Sequence, residues 1–154
     1  MFILIGGPSR SGKTTIAGIL NKRLSNSIII SSDRYYLQDK PVDARSRHKN
    51  WEGLESLDRV ALDSAVRNAR LHYEHVILEG IFALCFDDWL KESDRLIYMS
   101  IKASTCLQRR RMAGQRRCSK FSYFDQLVWP EHCLLHRWLF DDYASRLFLY
   151  VCRE

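Results

Sequence analysis

The chain has little of what would mark a membrane, secreted or fibrous protein. No stretch of its 154 residues approaches the roughly 18 consecutive apolar residues that a membrane span needs. Its five cysteines, Cys85, Cys106, Cys118, Cys133 and Cys152, are odd in number and share no close-pair spacing, so reduced thiols in a cytoplasmic protein are expected rather than a disulfide frame. Met1 leads straight into an apolar run, leaving no targeting segment to expect ahead of it. Only three prolines and seven glycines interrupt the chain, and there is no internal repeat or low-complexity tract. Acidic residues are missing from one stretch altogether: Lys102 to Lys120 carries Lys102, Arg109, Arg110, Arg111, Arg116, Arg117 and Lys120 and no carboxylate. That block holds most of the formal net charge of +6, and it fits a lid over an anionic ligand, a nucleic-acid surface or a solvated face.

What remains is a soluble composition, 46 % apolar and 27 % charged, at the length of one domain spanning residues 1–154. One motif dominates it. Gly7-Pro8-Ser9-Arg10-Ser11-Gly12-Lys13-Thr14 fits G-x-x-x-x-G-K-[ST] directly after the apolar run Phe2-Ile3-Leu4-Ile5. A strand would deliver this loop to a helix N-terminus, where glycines permit a tight turn and backbone N–H groups converge on phosphate oxygens. Lys13, read as an exposed loop lysine, adds a point charge, and Thr14 offers a hydroxyl to Mg²⁺. ATP or GTP is the expected ligand.

Hydrophobic spacing then predicts a helix with Ile16, Ile19, Leu20 and Leu24 on one face, ending at Ser25-Asn26. Ile28-Ile29-Ile30, Val76-Ile77-Leu78, Leu96-Ile97-Tyr98-Met99 and Leu147 to Val151 read as strands. Between them, Leu54, Leu57, Ala61, Ala65 and Ala69 share a helical face, and further helices are expected over Ala103 to Met112 and Phe124 to Leu139. Asp39 to Gly53 has no clean period and is expected to be a loop. Strands alternating with helices imply βαβ units, and with the phosphate loop they lead us to expect an α/β P-loop NTPase fold with a central parallel sheet of about five strands, helices on both faces and a short arginine-rich lid over residues 109–120.

Ligands of open α/β sheets bind outside the carboxyl ends of the strands, which places two acids of interest. Asp33, after the second strand, can orient a substrate hydroxyl and take its proton, or it can simply cap a short helix at Arg34-Tyr35-Tyr36. Glu79, ending the third strand before Gly80, can hold hydrated Mg²⁺ or a substrate hydroxyl, or stand exposed at the rim. One of Arg109, Arg110 and Arg111 is expected to face the phosphates, with Arg110 the choice. Trp51 can stack on a planar base while Glu52 accepts from ribose hydroxyls, though Trp51 can equally staple the following helix. His132 and His136 lie four apart, a possible zinc pair with no further ligands to complete it, and Tyr123, Phe124, Trp129 and Trp138 suit a core or lid support.

Taken together, Gly7 to Thr15, Ile30-Ser31-Ser32-Asp33-Arg34-Tyr35-Tyr36, Ile77-Leu78-Glu79-Gly80, Arg109-Arg110-Arg111, Tyr123-Phe124-Asp125 and Val128-Trp129-Pro130 resemble the uridine kinase-like nucleoside kinases, most closely the nicotinamide riboside kinases. The resemblance implies ATP and Mg²⁺ as cofactors and transfer of the γ-phosphoryl group to the 5′-hydroxyl of a ribonucleoside, nicotinamide riboside first and uridine or cytidine second. It implies a nucleotide cradle from Gly7, Ser9, Arg10, Ser11, Gly12, Lys13, Thr14 and Thr15 with Arg109 and Arg111, and metal association at Thr14 and Glu79. Asp33, Lys13 and Arg110 are the implied catalytic set; Asp33, Tyr36, Trp51, Glu52, Glu79 and Arg116 are the implied acceptor side. Glu52 stands where the resembling enzymes tend to have Asp, Arg116 falls near the place of a second ring-sandwiching aromatic, and relatives continue past the position of Glu154 into a nucleotide-side loop and helix. Small-molecule partners, no stable nucleic-acid partner, no membrane and a monomer or homodimer are expected. A nucleotide-dependent switch or nucleic-acid-associated NTPase is the reading of a different class; the guanine-reading N-K-x-D sequence of a switch is absent.

Overall fold

The computed structural model describes residues 1–39, 53–113 and 147–151. β1 (Phe2–Gly6) is buried along its whole length, as a central strand covered from both sides must be. It is followed by α1 (Lys13–Arg23), β2 (Ser27–Ser31), a 3₁₀ turn at Ser32–Tyr35 and another at Leu54–Ser56, and α2 (Arg59–His72). β3 (His75–Glu79), α3 (Asp87–Glu92), β4 (Arg95–Ser100), α4 (Ala103–Ala113) and β5 (Leu147–Val151) complete the described elements. β1 lies between β3 and β4 with β2 outside β3, all parallel, and β5 continues the sheet beside β4. This is the parallel α/β arrangement expected of alternating strands and helices.

The pleat sorts β1 by parity. Phe2 and Leu4 join Leu62, Val66 and Ala69 of α2, Trp89 and Leu90 of α3, and Phe82 and Leu84 in one cluster. Ile3 and Ile5 face the other way, onto Ala17 of α1 with Ile77 and Met99, and Ile16, Leu20 and Leu24 pack at the margin. Helices therefore cover both faces of the sheet. Ile19, expected on the inner face of α1, is 43 % exposed; the residue that meets the sheet closely is the smaller Ala17.

The second helix departs further from its expected face. Leu54 and Leu57 precede α2, which starts at Arg59 behind an Asp58 cap whose carboxylate accepts from the Ala61 N–H at 2.9 Å. Ala69 is buried as expected, but Leu62 and Val66 take the centre of the inner face while Ala61 and Ala65 are half-buried, because burying branched side chains gains more than burying methyls. Leu57 is instead held by tertiary pairing: Tyr36 bridges Leu57, Leu37 N–H donates to Ser56 O at 2.8 Å and Asp58 N–H to Tyr35 O at 2.7 Å. The turn after β2 is thereby laced to the start of α2. α3 has no signature in the sequence, since six residues are too few to show a helical period. It is clasped to α2 by the ion pairs Arg59–Asp88 and Arg70–Glu92, with the Arg59 guanidinium 3.9 Å from the Phe86 ring centre and 4.0 Å from that of Trp89. The helix expected over Phe124 to Leu139, the residues 40–52 of the expected loop, and Arg116, Arg117, His132 and His136 lie outside the described residues.

Candidate active site

The phosphate loop leaves the centre of the sheet through Gly7, whose backbone has φ +136°. A Cβ built there would stand 2.8 Å from the Met99 carbonyl oxygen, so β4 presses against the loop where only glycine fits. Arg10 (φ 66°) then turns the chain through a left-handed conformation, and Ser11 N–H closes the turn on Pro8 O at 3.2 Å. α1 follows with no side-chain cap at its N-terminus and no acidic residue in its first turn. Its uncapped N–H groups and the positive end of its dipole are thus turned to the loop, the condition under which an anion is held.

Cations converge on the same loop. The Lys13 ammonium donates to Pro8 O at 2.8 Å and the residue is only 7 % exposed, so it is a buried lysine folded onto its own loop rather than the exposed one expected. From α4, the Arg110 Nη1 donates to Ser9 Oγ at 3.2 Å and the Arg109 Nη1 reaches Arg10 O at 3.4 Å. Two neighbouring arginines therefore address the loop; the side chain of Arg111 lies outside the described ones.

Glu79 closes the site from below. It is 3 % exposed, in register with Ile5 on one side and Ser31 on the other, and it accepts from Thr14 Oγ1 through Oε2 at 3.3 Å. An exposed rim glutamate is thereby excluded. Asp33 is an exposed residue inside the Ser32–Tyr35 turn, whose N-cap position is Ser31. The turn follows β2 directly, at the sheet end where Ser31 stands beside Glu79. Thr15 is exposed on the first turn of α1, and Tyr36 is half-buried against the core cluster that α2 covers. Trp51 and Glu52 lie outside the described residues. Two further residues shape the site without having been assigned a role from sequence: Met99, which walls the loop from β4, and Ser32, a buried hydroxyl beside Gly80.

Residues 3–126 match the family described as AAA domain. The chain belongs to that family. Among curated proteins, this AAA-domain chain is 27 % identical to mouse nicotinamide riboside kinase 2 over 168 residues, covering 97 % of itself and 86 % of the relative. It is 27 % identical to the human nicotinamide riboside kinase 2, covering 84 % of itself and 65 % of that protein. Yeast nicotinamide riboside kinase is 37 % identical over 60 residues, 38 % of this chain and 25 % of the relative. Solved structures with a similar fold include a putative fructose transport system kinase from Silicibacter sp. TM1040, with TM-score 0.67, 15 % identity, and 99 % and 89 % of the two chains covered. Another is shikimate kinase from Bacteroides thetaiotaomicron, with TM-score 0.61, 17 % identity, and 98 % and 86 % covered. The resemblance to nicotinamide riboside kinases is thus found over most of the chain, and this AAA-domain protein is an ATP-dependent phosphotransferase of the P-loop kinase class. Among the described residues, no helix is long and apolar enough to cross a membrane.

Proposed function

We propose that the chain, as a single domain, transfers the γ-phosphoryl group of ATP to the 5′-hydroxyl of a ribonucleoside, with nicotinamide riboside the preferred acceptor. The observation that carries this is the Thr14–Glu79 contact, 3.3 Å, which joins the phosphate loop to the strand end adjoining the Asp33 turn. Phosphate and acceptor sites at the ends of β1 and β2, two strand spacings or about 10 Å apart with β3 and its Glu79 between them, suit direct transfer between two bound molecules. The names of the similar proteins supply the acceptor.

In this reading Gly7 to Thr15 cradle the β- and γ-phosphates with backbone N–H groups. Lys13 exchanges its Pro8 carbonyl for phosphate oxygens, and Arg110 leaves Ser9 to stabilise charge on the transferring group, with Arg109 and Arg111 on the nucleotide side. The exposed Asp33 carboxylate accepts the 5′-hydroxyl proton as the oxygen attacks phosphorus, so the proton departs as the new P–O bond forms and ADP carries away the old bond's electrons. Thr14 and Glu79 offer two hard oxygen donors side by side, a set that fits Mg²⁺ with the remaining positions taken by water and phosphate. Bound there, the ion would neutralise phosphate charge. Tyr36, Trp51, Glu52 and Arg116 are assigned to the acceptor side, and the 109–120 segment to a lid that excludes water as a competing acceptor. The enzyme works in the cytoplasm on small molecules.

A phosphorylation screen tests this reading: nicotinamide riboside, uridine, cytidine and simpler ribosides at equal Mg·ATP, with the phosphorylated product measured directly. Product from nicotinamide riboside with the highest kcat/KM is expected. A preference for uridine by tenfold or more refutes the acceptor assignment, and ATP hydrolysis with no phosphorylated riboside refutes the transfer.

A further inference from the structure

One polar group at the sheet end is buried without a use. Ser32 is 1 % exposed, and its Oγ has no hydrogen-bond partner among the described residues. It comes directly before Asp33 in the chain and packs against Gly80, the residue after Glu79. A Cβ at Gly80 would come within 1.7 Å of the Ser32 Oγ, so the hydroxyl occupies the notch that the missing side chain leaves. The glycine amide below is engaged, donating to Ile5 O at 3.1 Å, and cannot satisfy the hydroxyl. Ordinary folds do not leave such a group idle, because burial strips it of water and the loss is not repaid. Packing alone would be served better by alanine.

We infer that Ser32 is a further acceptor-binding residue, its hydroxyl hydrogen-bonding a hydroxyl of the polyhydroxylated acceptor held between Asp33 and Glu79. The inference rests on the proposed riboside kinase reading and deepens it. The ligand must be a group that both gives and takes hydrogen bonds, since Ser32 can do either and the flanking carboxylates only accept. A sugar hydroxyl donating to a carboxylate while pairing with Ser32 satisfies all three.

Ser32→Ala keeps the Cβ and deletes one oxygen. In the free protein this removes an unpaired buried group, so the melting temperature should stay level or rise; a hydroxyl that served the fold would lower it. In the complex it removes a hydrogen bond, so the KM for the riboside should rise at least threefold while the KM for ATP stays within twofold. Riboside binding followed by calorimetry on Ser32→Ala, in the absence of ATP, should weaken by the same factor. Ribosides lacking one sugar hydroxyl identify the partner: for one of them, wild type and Ser32→Ala should bind equally. A riboside KM changed by less than threefold, or a clear fall in melting temperature accompanied by unchanged riboside binding, overturns the assignment while leaving the kinase reading intact. Failure of the wild-type protein to phosphorylate any riboside overturns the kinase reading and this assignment with it.

Discussion

Gly7→Ala should cost the protein both stability and nucleotide affinity, and the structure gives the size of each. The new Cβ would meet three atoms of one residue, the Met99 carbonyl oxygen at 2.8 Å, Met99 Cβ at 3.0 Å and Met99 N at 3.2 Å, two of them backbone atoms of β4 that cannot rotate away. Holding alanine at φ +136° adds about 1–3 kcal/mol of backbone strain, and the overlap adds about 1–3 kcal/mol as for an overpacked core. The sum is roughly 2–6 kcal/mol, which for a domain of this size lowers the melting temperature by about 5–20 °C. Part of the strain will be relieved by displacing the loop from β4, which misaligns the amides that hold phosphate and should weaken ATP by about tenfold or more, some 1.4 kcal/mol. Gly18→Ala is the internal control. It lies within α1 with nothing within 4 Å of the added Cβ, so it should raise stability by about 0.5–1 kcal/mol. Thermal unfolding by circular dichroism and titration with a fluorescent ATP analogue measure both effects. A Gly7→Ala protein that melts with the parent and binds nucleotide equally well refutes the argument that Met99 shapes the loop.

Three other outcomes follow from single observations. Asp33→Asn should lower kcat by about 10²–10⁴ while ATP affinity and melting temperature hold, because the residue is exposed and would act only on the acceptor proton; rapid-quench kinetics beside a melting curve separate the two. Asp58→Ala should lower stability by about 1 kcal/mol through loss of the α2 cap, with ATP and riboside KM values unmoved; denaturant titration reads it. Burial pushes the Cys85 thiol from 9.0 up to about 12, so the folded state keeps its proton where the unfolded chain gives it up. Stability from this group is complete below pH 9 and is lost as pH rises towards 12, and urea midpoints compared at pH 7 and pH 10.5 should fall further for the wild type than for Cys85→Ala.

The parts of this fold that could be read from the chain are those whose signal is local. Ile28 to Ile30 and Val76 to Leu78 are β-branched and aliphatic runs that fall inside β2 and β3; the second is buried as expected, while β2 is the edge strand and buries only Ile30 of its three isoleucines. The phosphate loop is equally local, since glycine spacing and the strand before it are contiguous. What escaped depends on contacts between distant segments. Leu57 looks helical by spacing, but its backbone neighbours are spoken for by Tyr35 and Leu37, which moves the start of α2 beyond it. Lys13 looks exposed as a loop residue; only its fold back onto Pro8 buries it. Ser32 stands in a recognisable segment, Ile30 to Tyr36, but nothing in that segment marks its hydroxyl, whose burial emerges only when the turn after β2 lies over Gly80.

The arginine triplet shows the limit of spacing arguments most directly. Successive residues on a helix point about 100° apart, which makes a choice of one from Arg109, Arg110 and Arg111 seem obligatory. The fold does not make that choice, because the acceptors are themselves successive: Arg110 reaches Ser9 Oγ and Arg109 reaches the carbonyl of Arg10, one step further along the loop. Long guanidinium arms absorb the angular difference that shorter side chains could not. Arg110 nonetheless differs in kind from its neighbour. Its contact is to a side-chain hydroxyl, which can rotate when phosphate arrives, and it is partly buried while Arg109 is exposed. A cation already partly desolvated interacts more strongly with an incoming phosphate than a hydrated one does, which supports the proposed assignment of Arg110 to transition-state charge.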